Sequence, residues 1–362
     1  MMMDENPFEL VTAANGLVIY GTGAAGQEVH AVFSSQAIEV KGFVDDNTRK
    51  KEFCGLSVWA GSEVPAEISR NTTVIIAIFN PHVDVCEIVS RIQNAGWSKV
   101  ITFLEILHRF PTRFAARWWA DPSYSYEAKT EEVETARRLL ADTLSRELFD
   151  QVLQFRKSGD VRLAPLPTKQ TQYFPEDLPQ WKSPIRFVDC GAFDGDTIRS
   201  TMDNNIELEA VALFEPDAAN FVKIQQTLVD LVPNKIPHVY CWPCGVFSKT
   251  TQLSFSSGAG TGSGISEEGN CVIQCVSLDE ALVGFSPTLV KMDIEGAEIE
   301  ALLGAKKIIR NGRPGLAICV YHTPGHMWEI PLLLESWKLN YKFFLRCHAY
   351  STFDLVLYAF PV

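Results

Sequence analysis

Two glycine-rich turns constrain the fold of this chain more than any other feature. One begins at Gly21 and the other at Gly191, and each follows an apolar, strand-like run and opens a helical pattern. Each is followed by a further apolar run that ends in an acidic residue. Apolar strands that alternate with helices indicate parallel βαβ units. The sequence therefore predicts an α/β protein with two Rossmann-like, three-layer α/β/α domains.

The length and the pattern between the turns place the domain boundaries. A chain of 362 residues is long enough for two domains, each with its own core. We expect a Rossmann-like nucleotide-binding-type domain over 1–110, a helical linker region over 111–183 and a second α/β domain over 184–362. The linker assignment depends on an amphipathic helix predicted from Thr130 to Lys157, which proline-punctuated coil follows.

Charge and cysteine usage limit the partners and the location. With 32 Lys and Arg against 44 Asp and Glu, the net charge of -12 argues against a nucleic-acid partner. No apolar stretch is long enough to cross a bilayer, and the first residues lack the basic and apolar regions of a signal peptide. The nine cysteines lie mostly inside apolar runs, as in a reducing compartment. We expect a cytoplasmic protein with no membrane partner, and a homo-oligomer stays open.

The second turn carries the sharper chemistry. A strand that contains Asp189 turns through Gly191 and Gly195 into a helix, and Glu215 ends the next apolar strand twenty residues after Gly195. An acid at that position is placed to accept both hydrogen bonds of a ribose diol. The spacing D-x-G-x-x-x-G is more open than the G-x-G-x-x-G that grips a pyrophosphate. This form favours a methyl donor over a dinucleotide.

Four tracts of this half resemble one family. FVDCGAFDGDT, LFEPD, VSLDEAL and KMDIEGAE look like the FkbM-type S-adenosylmethionine-dependent methyltransferases, and the resemblance covers Phe187 to Phe360. It implies a class I methyltransferase fold with a mostly parallel seven-stranded sheet. It also implies S-adenosyl-L-methionine as cofactor and O-methylation, commonly of sugars or natural products.

The resemblance also implies which residues bind the cofactor. Asp189 and Gly191 would lie along the methionine part of the donor, and Glu215 would bind its ribose. Gly245 and Val246, after the third strand, would border the adenine. Gly195 completes the predicted cofactor-binding set.

Two carboxylates follow the fourth strand of this half, TLVKM. Asp293 and Glu295 lie where ligands bind in open α/β sheets. Asp293 is the first candidate to orient the substrate hydroxyl, to act as base, or to hold a divalent cation, and no other metal ligand is predicted. Glu295 is the second candidate. The alternative is that Glu295 and Glu298 only favour the first turn of a helix through its dipole.

A histidine follows the fifth strand directly. His322 comes straight after GLAICVY, at the same sheet edge as Asp293. An alcohol is weakly acidic, so its methylation benefits from a base. We predict that His322 is the base or orients the substrate, and a solvated or structural histidine is the alternative.

The first turn indicates a second ligand site. Gly21, Gly23 and Gly26 open a helix, and Asp45 ends the next strand nineteen residues after Gly26. This tract is similar to the small N-terminal domains of PglD-like sugar acyltransferases, which bind a nucleotide sugar. We therefore predict a nucleotide site at Gly21, Gly23, Gly26 and Asp45, with an empty unit kept for packing or dimerisation as the alternative.

The favoured function is an S-adenosylmethionine-dependent O-methyltransferase for carbohydrate modification. Its partner would be a small-molecule hydroxyl acceptor, a sugar or sugar-containing metabolite such as a nucleotide sugar or glycan. An NAD(P)-dependent oxidoreductase and a non-catalytic nucleotide-binding scaffold are the alternatives. The Gly/Ser-rich run over 254–269 is either a lid over the site or a plain hairpin connection.

Overall fold

The chain folds into two compact α/β units. The computed structural model describes residues 16–97, 99–115, 117–121, 123–231, 236–257, 264–265 and 269–362. The described residues of the first unit fall within Met1–Ala128, Leu148–Pro167 and Ala349–Phe353. Those of the second fall within Lys129–Glu147, Thr168–His348 and Asp354–Val362. The predicted α/β class with two sheet-containing domains is confirmed, and parts of the predicted linker belong to each unit.

The first unit is built on a six-stranded sheet. It contains β1 (Leu17–Tyr20), α1 (Ala24–Ser35), β2 (Val40–Val44), β3 (Glu52–Phe53), β4 (Leu56–Trp59), α2 (Ala66–Asn71), β5 (Thr73–Ile76), α3 (Val85–Asn94), β6 (Val100–Thr102) and α4 (Phe103–Arg109). The strand order is β3-β4-β2-β1-β5-β6. β3 pairs antiparallel with β4, and the other neighbours pair in parallel.

The first glycine turn is tight because of how α1 packs. All four residues of β1 are buried, and α1 begins directly after the turn. A Cβ at Gly26 would lie 2.1 Å from the Gly21 carbonyl oxygen. Only glycine therefore allows α1 to approach the end of β1 this closely.

Two helices occupy the stretch where the sequence predicts one. α5 covers Thr130–Leu139 and α6 covers Thr143–Ser158. The chain is extended at Leu140, and Asp142 accepts a hydrogen bond from the Ser145 N–H at 2.7 Å. The prediction of one continuous helix is wrong because Asp142 caps a new helix inside the apolar periodicity.

The second unit carries the larger sheet. It contains β7 (Ile185–Cys190), α7 (Asp196–Asp203), β8 (Leu208–Phe214), α8 (Ala218–Leu231), β9 (His238–Trp242), β10 (Gly245–Val246), β11 (Thr251–Ser256), β12 (Gly264–Ile265), β13 (Cys271–Val276), α9 (Leu278–Ala281), β14 (Leu289–Met292), α10 (Glu298–Gly304), α11 (Lys306–Gly312), β15 (Gly315–Cys319), α12 (His326–Ser336), β16 (Tyr341–Cys347) and β17 (Leu355–Pro361). Across the described part of the chain, no helix combines the length and the apolar character that a membrane span requires.

The strand order of this sheet matches the expectation from the resemblance. Seven strands run in the order β16-β17-β15-β14-β7-β8-β9. β17 is antiparallel to β15 and β16, and the remaining pairs are parallel. The mostly parallel seven-stranded sheet is therefore confirmed.

A smaller sheet, which the sequence did not predict, joins β10, β13, β11 and β12 in that order. β11 and β12 flank part of the Gly/Ser-rich run. Positions 258–263 and 266–268 of that run lie outside the described residues, so the choice between lid and hairpin connection stays open.

The centre of the larger sheet fixes the position of the candidate site. β7 and β14 are neighbours, and their register sets Asp189 opposite Lys291. The pairing with β7 continues one residue beyond the end of β14, since the Asp293 N–H donates to the Cys190 carbonyl at 3.1 Å. The Gly191 turn and Asp293 therefore leave the sheet side by side at its carboxyl edge.

A buried arginine ties the start of α6 to the larger sheet. Arg346 in β16 lies 3.0 Å from Asp142 Oδ2 and 2.7 Å from Asp177 Oδ2, and it donates to Ser145 Oγ at 3.0 Å. Its side chain is 4 % exposed. Loss of one member of such a group leaves charges without partners in a poorly solvated place.

We expect Arg346→Ala to lower the free energy of unfolding of the second unit by about 3–5 kcal/mol, because Asp142 and Asp177 lose their partner. Chemical denaturation followed by circular dichroism measures this. Lys129→Ala, which removes an exposed ion pair with Glu132 in the same unit, is the control and should change the value by less than about 1 kcal/mol. Equal effects of the two substitutions would contradict the assignment.

Candidate active site

The turn after β7 brings the backbones of two neighbouring strands into contact. Gly191 has a φ of 80°, and a Cβ there would lie 2.0 Å from the Asp293 carbonyl oxygen, so only glycine fits. Gly195 has a φ of 87° and precedes α7. A Cβ on Gly195 would lie 2.9 Å from the Thr227 side chain in α8. Gly191 thus lies at the sheet edge, whereas Gly195 packs against a helix.

A buried ion pair holds this turn in place. Lys291 Nζ lies 2.8 Å from Asp189 Oδ1 and donates to the Gly191 carbonyl oxygen at 2.6 Å. The exposed fractions of the two side chains are 3 % for Lys291 and 0 % for Asp189. Burial disfavours the ammonium, but Asp189 and Asp293 raise the pKa of Lys291 above its ordinary value. Asp189 therefore acts on the turn through a protonated Lys291.

Glu215 follows β8 and links two turns. Its Oε2 accepts a hydrogen bond from the Phe193 N–H at 2.9 Å, and its Oε1 accepts one from the Asp217 N–H at 2.8 Å. Burial raises the pKa of Glu215 to about 7, against the lowering effect of these two bonds. Each carboxylate oxygen keeps acceptor capacity for a ligand. The structure places Glu215 at the same edge as the Gly191 turn.

The residues predicted to border the adenine form β10. Gly245 and Val246 are both buried, and β10 pairs with β13. A Cβ on Gly245 would lie 3.0 Å from Cys275 Sγ and 3.9 Å from the Pro216 side chain. β10 is therefore next to the turn that carries Glu215.

Three side chains converge on Asp293. The Tyr173 hydroxyl donates to Oδ2 at 2.9 Å, the Tyr321 hydroxyl donates to Oδ1 at 3.4 Å, and His322 Nε2 lies 3.3 Å from Oδ1. Burial alone would raise the pKa of Asp293, but the hydrogen bond from His322 and the charge of Lys291 hold it at about 2. With 22 % of its side chain exposed, Asp293 is an ionised carboxylate within reach of a ligand.

Tyr173 reaches the site from the coil before β7, which the sequence assigns to the linker. Its carbonyl accepts a hydrogen bond from Trp181 Nε1 at 2.8 Å, and Trp181 stacks on Phe360 at 4.2 Å. The Tyr173 N–H donates to the Tyr358 hydroxyl at 3.0 Å. That hydroxyl in turn lies 2.8 Å from His348 Nε2. Burial lowers the pKa of His348 to about 4, so this histidine is neutral and supports Tyr173 through Tyr358.

His322 lies between three carboxylates of the DIEGAE tract. Its Nδ1 is 2.8 Å from Glu298 Oε1, and its Nε2 is 3.3 Å from Asp293 Oδ1 and 3.6 Å from Glu295 Oε1. Burial disfavours the imidazolium, but Glu298 and Glu295 outweigh it and raise the pKa of His322 well above its ordinary value. The side chain is 0 % exposed, against 19 % for Glu295. His322 is therefore a buried cation that orders the more exposed Asp293 and Glu295.

Glu298 supports this arrangement from the first turn of α10. Its Oε1 accepts a hydrogen bond from the Ile294 N–H at 2.9 Å, and its Oε2 lies 3.1 Å from His326 Nδ1. Burial alone would raise the pKa of Glu298, but His322 and His326 hold it well below its ordinary range. Glu298 is thus part of the histidine network and does more than favour the helix dipole.

Sequence reasoning missed three residues of this region: Tyr173, Glu298 in its contact with His322, and Asp354. Tyr173 lies in proline-punctuated coil, and no spacing connects it with Asp293. Glu298 belongs to a motif, but its position on a helix start has a sufficient local explanation. Asp354 precedes an apolar strand, where an acid is unremarkable until the fold brings it to the Asp293 edge.

In the first unit, the glycine turn holds the predicted acid. The Thr22 N–H and hydroxyl donate to Asp45 Oδ2 at 3.0 Å and 2.6 Å. A Cβ built on Gly23 would have no atom within 4 Å, so this side of the turn is open. The structure therefore brings together Gly21, Gly23, Gly26 and Asp45.

The first unit also contains a cavity of about 390 Å³, whose lining includes none of Gly21, Gly23, Gly26 and Asp45. At its polar end the Tyr20 hydroxyl donates to Asp46 Oδ2 at 2.5 Å, and Arg91 Nη2 lies 2.9 Å from the same oxygen. The rest of the lining is Val44, Gly61, Ser62, Val64, Val74, Ile92, Ala95 and Trp97. A mostly apolar wall with a few convergent polar groups is typical of a small-molecule site.

The divalent cation considered for Asp293 gains no support. Within the described residues, no group of three or more His, Cys, Asp or Glu side chains is arranged to hold a metal ion. The hydrogen bonds from Tyr173, Tyr321 and His322 already use much of the acceptor capacity of Asp293.

Comparison with known families gives one match in each unit. The model of the methyltransferase FkbM domain matches residues 189–345. This part of the second unit is therefore similar to the FkbM methyltransferase domain. The PglD N-terminal domain model matches residues 16–83, so both resemblances drawn from the sequence are confirmed.

Solved structures agree on the fold. The crystal structure of methyltransferase FkbM from Methylobacillus flagellatus KT aligns with 98 % of this chain and 92 % of that chain, at 23 % identity and a TM-score of 0.79. This likeness shows a shared fold. A second solved structure is the methyltransferase PaMTH1 of Podospora anserina, bound to S-adenosylhomocysteine. It aligns at 10 % identity over 79 % of this chain and 98 % of that chain. Its TM-score of 0.28 is too low to indicate a shared fold. The comparison with curated proteins gives no match.

We expect Glu298→Gln to lower the pKa of His322 in the FkbM domain, because it removes the carboxylate nearest to Nδ1. NMR titration of the histidine rings in the full chain measures this shift. Glu300→Gln in the same helix is the control and should leave the titration unchanged. A wild-type His322 that titrates at its ordinary pKa would contradict the description of a buried cation.

Proposed function

We propose that the FkbM domain transfers a methyl group from S-adenosylmethionine to a hydroxyl of a sugar or sugar-containing metabolite. The observation that carries this proposal is the convergence of the Gly191 turn, Glu215 and Asp293 at one sheet edge. Ligands of open α/β sheets bind at such an edge.

The residues at this edge suit the donor. The Glu215 carboxylate is fixed by two backbone N–H groups and has acceptor capacity for a ribose diol. The carboxylates of Asp293 and Glu295 are partly exposed at the same edge, where they favour a cationic ligand. β10, with Gly245 and Val246, lies next to Glu215 and is available to border a base.

When bound, S-adenosylmethionine supplies an electrophilic methyl group on a sulfonium. Asp293 would accept a hydrogen bond from the acceptor hydroxyl and direct its oxygen at the methyl carbon. Alignment of the two reactants accounts for much of the acceleration in such a displacement. As the new carbon–oxygen bond forms and the carbon–sulfur bond breaks, the hydroxyl becomes acidic and Asp293 can take its proton.

Glu295 and His322 would assist this step in different ways. Glu295 lies at the same exposed edge and can bind a second hydroxyl of a sugar. His322 is buried and charged, so it positions Asp293 and Glu295 and does not itself take the proton. Of the two roles predicted for His322, orientation therefore has the stronger support.

We also propose that the first unit binds a nucleotide at Gly21, Gly23, Gly26 and Asp45. The open side of the turn at Gly23 and the hydrogen bonds that hold Asp45 at the turn support this assignment. The ligand of this site would be a nucleotide sugar, which agrees with the match to the PglD N-terminal domain.

A binding experiment tests the donor site. S-Adenosylhomocysteine should bind the full chain in calorimetry, and Glu215→Ala should weaken it by at least about tenfold, since one good hydrogen bond to a charged group contributes about 1.5–3 kcal/mol. Affinity should fall as the pH drops below about 7, where Glu215 takes up a proton, and Glu215→Gln should remove this dependence.

Glu209→Gln, at the other end of β8, is the matched control and should bind normally. NAD(H) is titrated in parallel. Binding of NAD(H) together with no binding of S-adenosylhomocysteine would favour the oxidoreductase and overturn the proposal.

A transfer experiment tests the reaction. The full chain is incubated with S-adenosylmethionine that carries a deuterated methyl group and with a set of nucleotide sugars, and products are analysed by mass spectrometry and NMR. The label should appear on a sugar oxygen, and Asp293→Asn should slow transfer by about 100-fold, while Glu300→Gln should not. Label on nitrogen, or donor binding without transfer to any acceptor in the set, would contradict O-methylation of a nucleotide sugar.

A further inference from the structure

Asp354 is held at the same sheet edge as Asp293 by backbone contacts. Its carbonyl accepts a hydrogen bond from the His348 N–H at 3.0 Å, and the next carbonyl, of Leu355, accepts one from the Val320 N–H at 2.8 Å. Its φ of 48° lies in the left-handed region, which residues other than glycine adopt at some cost in free energy. These contacts hold the residue beside the chain that leaves β15 and continues to Tyr321.

One hydroxyl group connects Asp354 with Asp293. The Tyr321 hydroxyl donates to Asp293 Oδ1 at 3.4 Å and is also hydrogen-bonded to the Asp354 carboxyl. A phenol has a single proton, so it can donate to only one of two carboxylates at a time. While both carboxyls are ionised, the hydroxyl donates to one of them at a time. Once Asp354 has taken up a proton, it can donate to Tyr321, which in turn donates to Asp293.

The surroundings of Asp354 make both its ionised and its protonated state accessible near neutral pH. Burial and the nearby Asp293 raise the pKa of Asp354 to about 7, against the lowering effects of His322 and of the hydrogen bond with Tyr321. Asp293 itself has a pKa of about 2, so the two carboxyls of this pair differ strongly in their hold on a proton. The titratable groups that face Asp354 are Asp293, Asp196, His322, Tyr321, Tyr173 and Cys319.

We infer that Asp354 takes up the proton released by the acceptor hydroxyl, which reaches it from Asp293 through the hydroxyl of Tyr321. The inference rests on the proposed methyl transfer. The acceptor oxygen forms a bond to the methyl carbon, the carbon–sulfur bond breaks and its electron pair stays on sulfur. The acceptor proton passes to Asp293, Tyr321 gives its own proton to Asp354 and receives the one from Asp293. Asp354, which is partly exposed, then returns the proton to solvent.

This arrangement explains how a carboxylate as weakly basic as Asp293 can serve the reaction. Asp293 orients the hydroxyl while it stays ionised, and the proton does not remain on it. A group whose pKa lies near neutrality is better suited to hold a proton between turnovers. Asp354 therefore acts through Tyr321 and Asp293 and does not touch the acceptor.

Infrared spectroscopy of the full chain tests the proton position directly. At low pH, the difference spectrum between wild type and Asp354→Asn should show the carbonyl band of a protonated carboxylic acid. This band should disappear as the pH rises, with a midpoint at about pH 7. Asp293→Asn should lower this midpoint, since a like charge is lost. Tyr321→Phe should raise it, since the hydrogen bond to the ionised Asp354 is lost. Glu300→Gln is the control and should leave the midpoint unchanged.

An Asp354 that is ionised wherever the protein is folded, or a midpoint that Asp293→Asn does not move, would overturn the inference.

In the labelled transfer assay, kcat of the wild type should rise with pH through about 7. Asp354→Asn should lose this dependence and lower kcat by about 10–100-fold, with KM unchanged. A change in KM alone would assign Asp354 a structural role and would likewise overturn the inference.

Failure of the proposed function gives a different result. If the wild type does not bind S-adenosylhomocysteine, the methyl-transfer proposal fails whatever the infrared titration shows. If it binds S-adenosylhomocysteine and Asp354 titrates independently of Asp293, the transfer proposal stands and the proton route alone is wrong.

Discussion

The contact between Gly191 and the carbonyl of Asp293 is the constraint on which the candidate active site depends. A Cβ at Gly191 would lie 2.0 Å from that oxygen, so the two chain segments can pass each other only because residue 191 is glycine. The pairing of β7 with β14 brings the segments to this contact, and Lys291 holds the turn by its hydrogen bond to the Gly191 carbonyl. The turn that would bind the donor and the carboxylate that would bind the acceptor are thereby adjacent.

Charge is distributed around this contact in two separate clusters. The buried Asp189 and Lys291 neutralise each other and support the backbone. Beyond them, His322 lies among the carboxylates of Asp293, Glu295 and Glu298, and negative charge is in excess where Asp293 and Glu295 are partly exposed. The overall acidity of the chain therefore has a local counterpart that suits a sulfonium donor and a polyhydroxyl acceptor.

Much of this architecture follows from the sequence, because glycine turns and strand-end acids are encoded locally. The two α/β sheets, the strand end at Asp293 and the proximity of His322 were predictable for that reason. Tyr173 was not, since its contact with Asp293 depends on a coil that folds back over the sheet. The break at Asp142 was hidden by apolar periodicity on both sides. Nor could the sequence show that His322 is buried and charged, because that depends on three carboxylates that only the fold brings together.

The central claim is that the second glycine turn binds the methyl donor, and a crystal structure of the full chain with S-adenosylhomocysteine tests it most directly. The account predicts electron density for the ligand along the Gly191 turn, with the ribose hydroxyls on the Glu215 carboxylate and the sulfur directed towards Asp293. Density for the ligand at the Gly21 turn alone, or a ribose that does not contact Glu215, would contradict it.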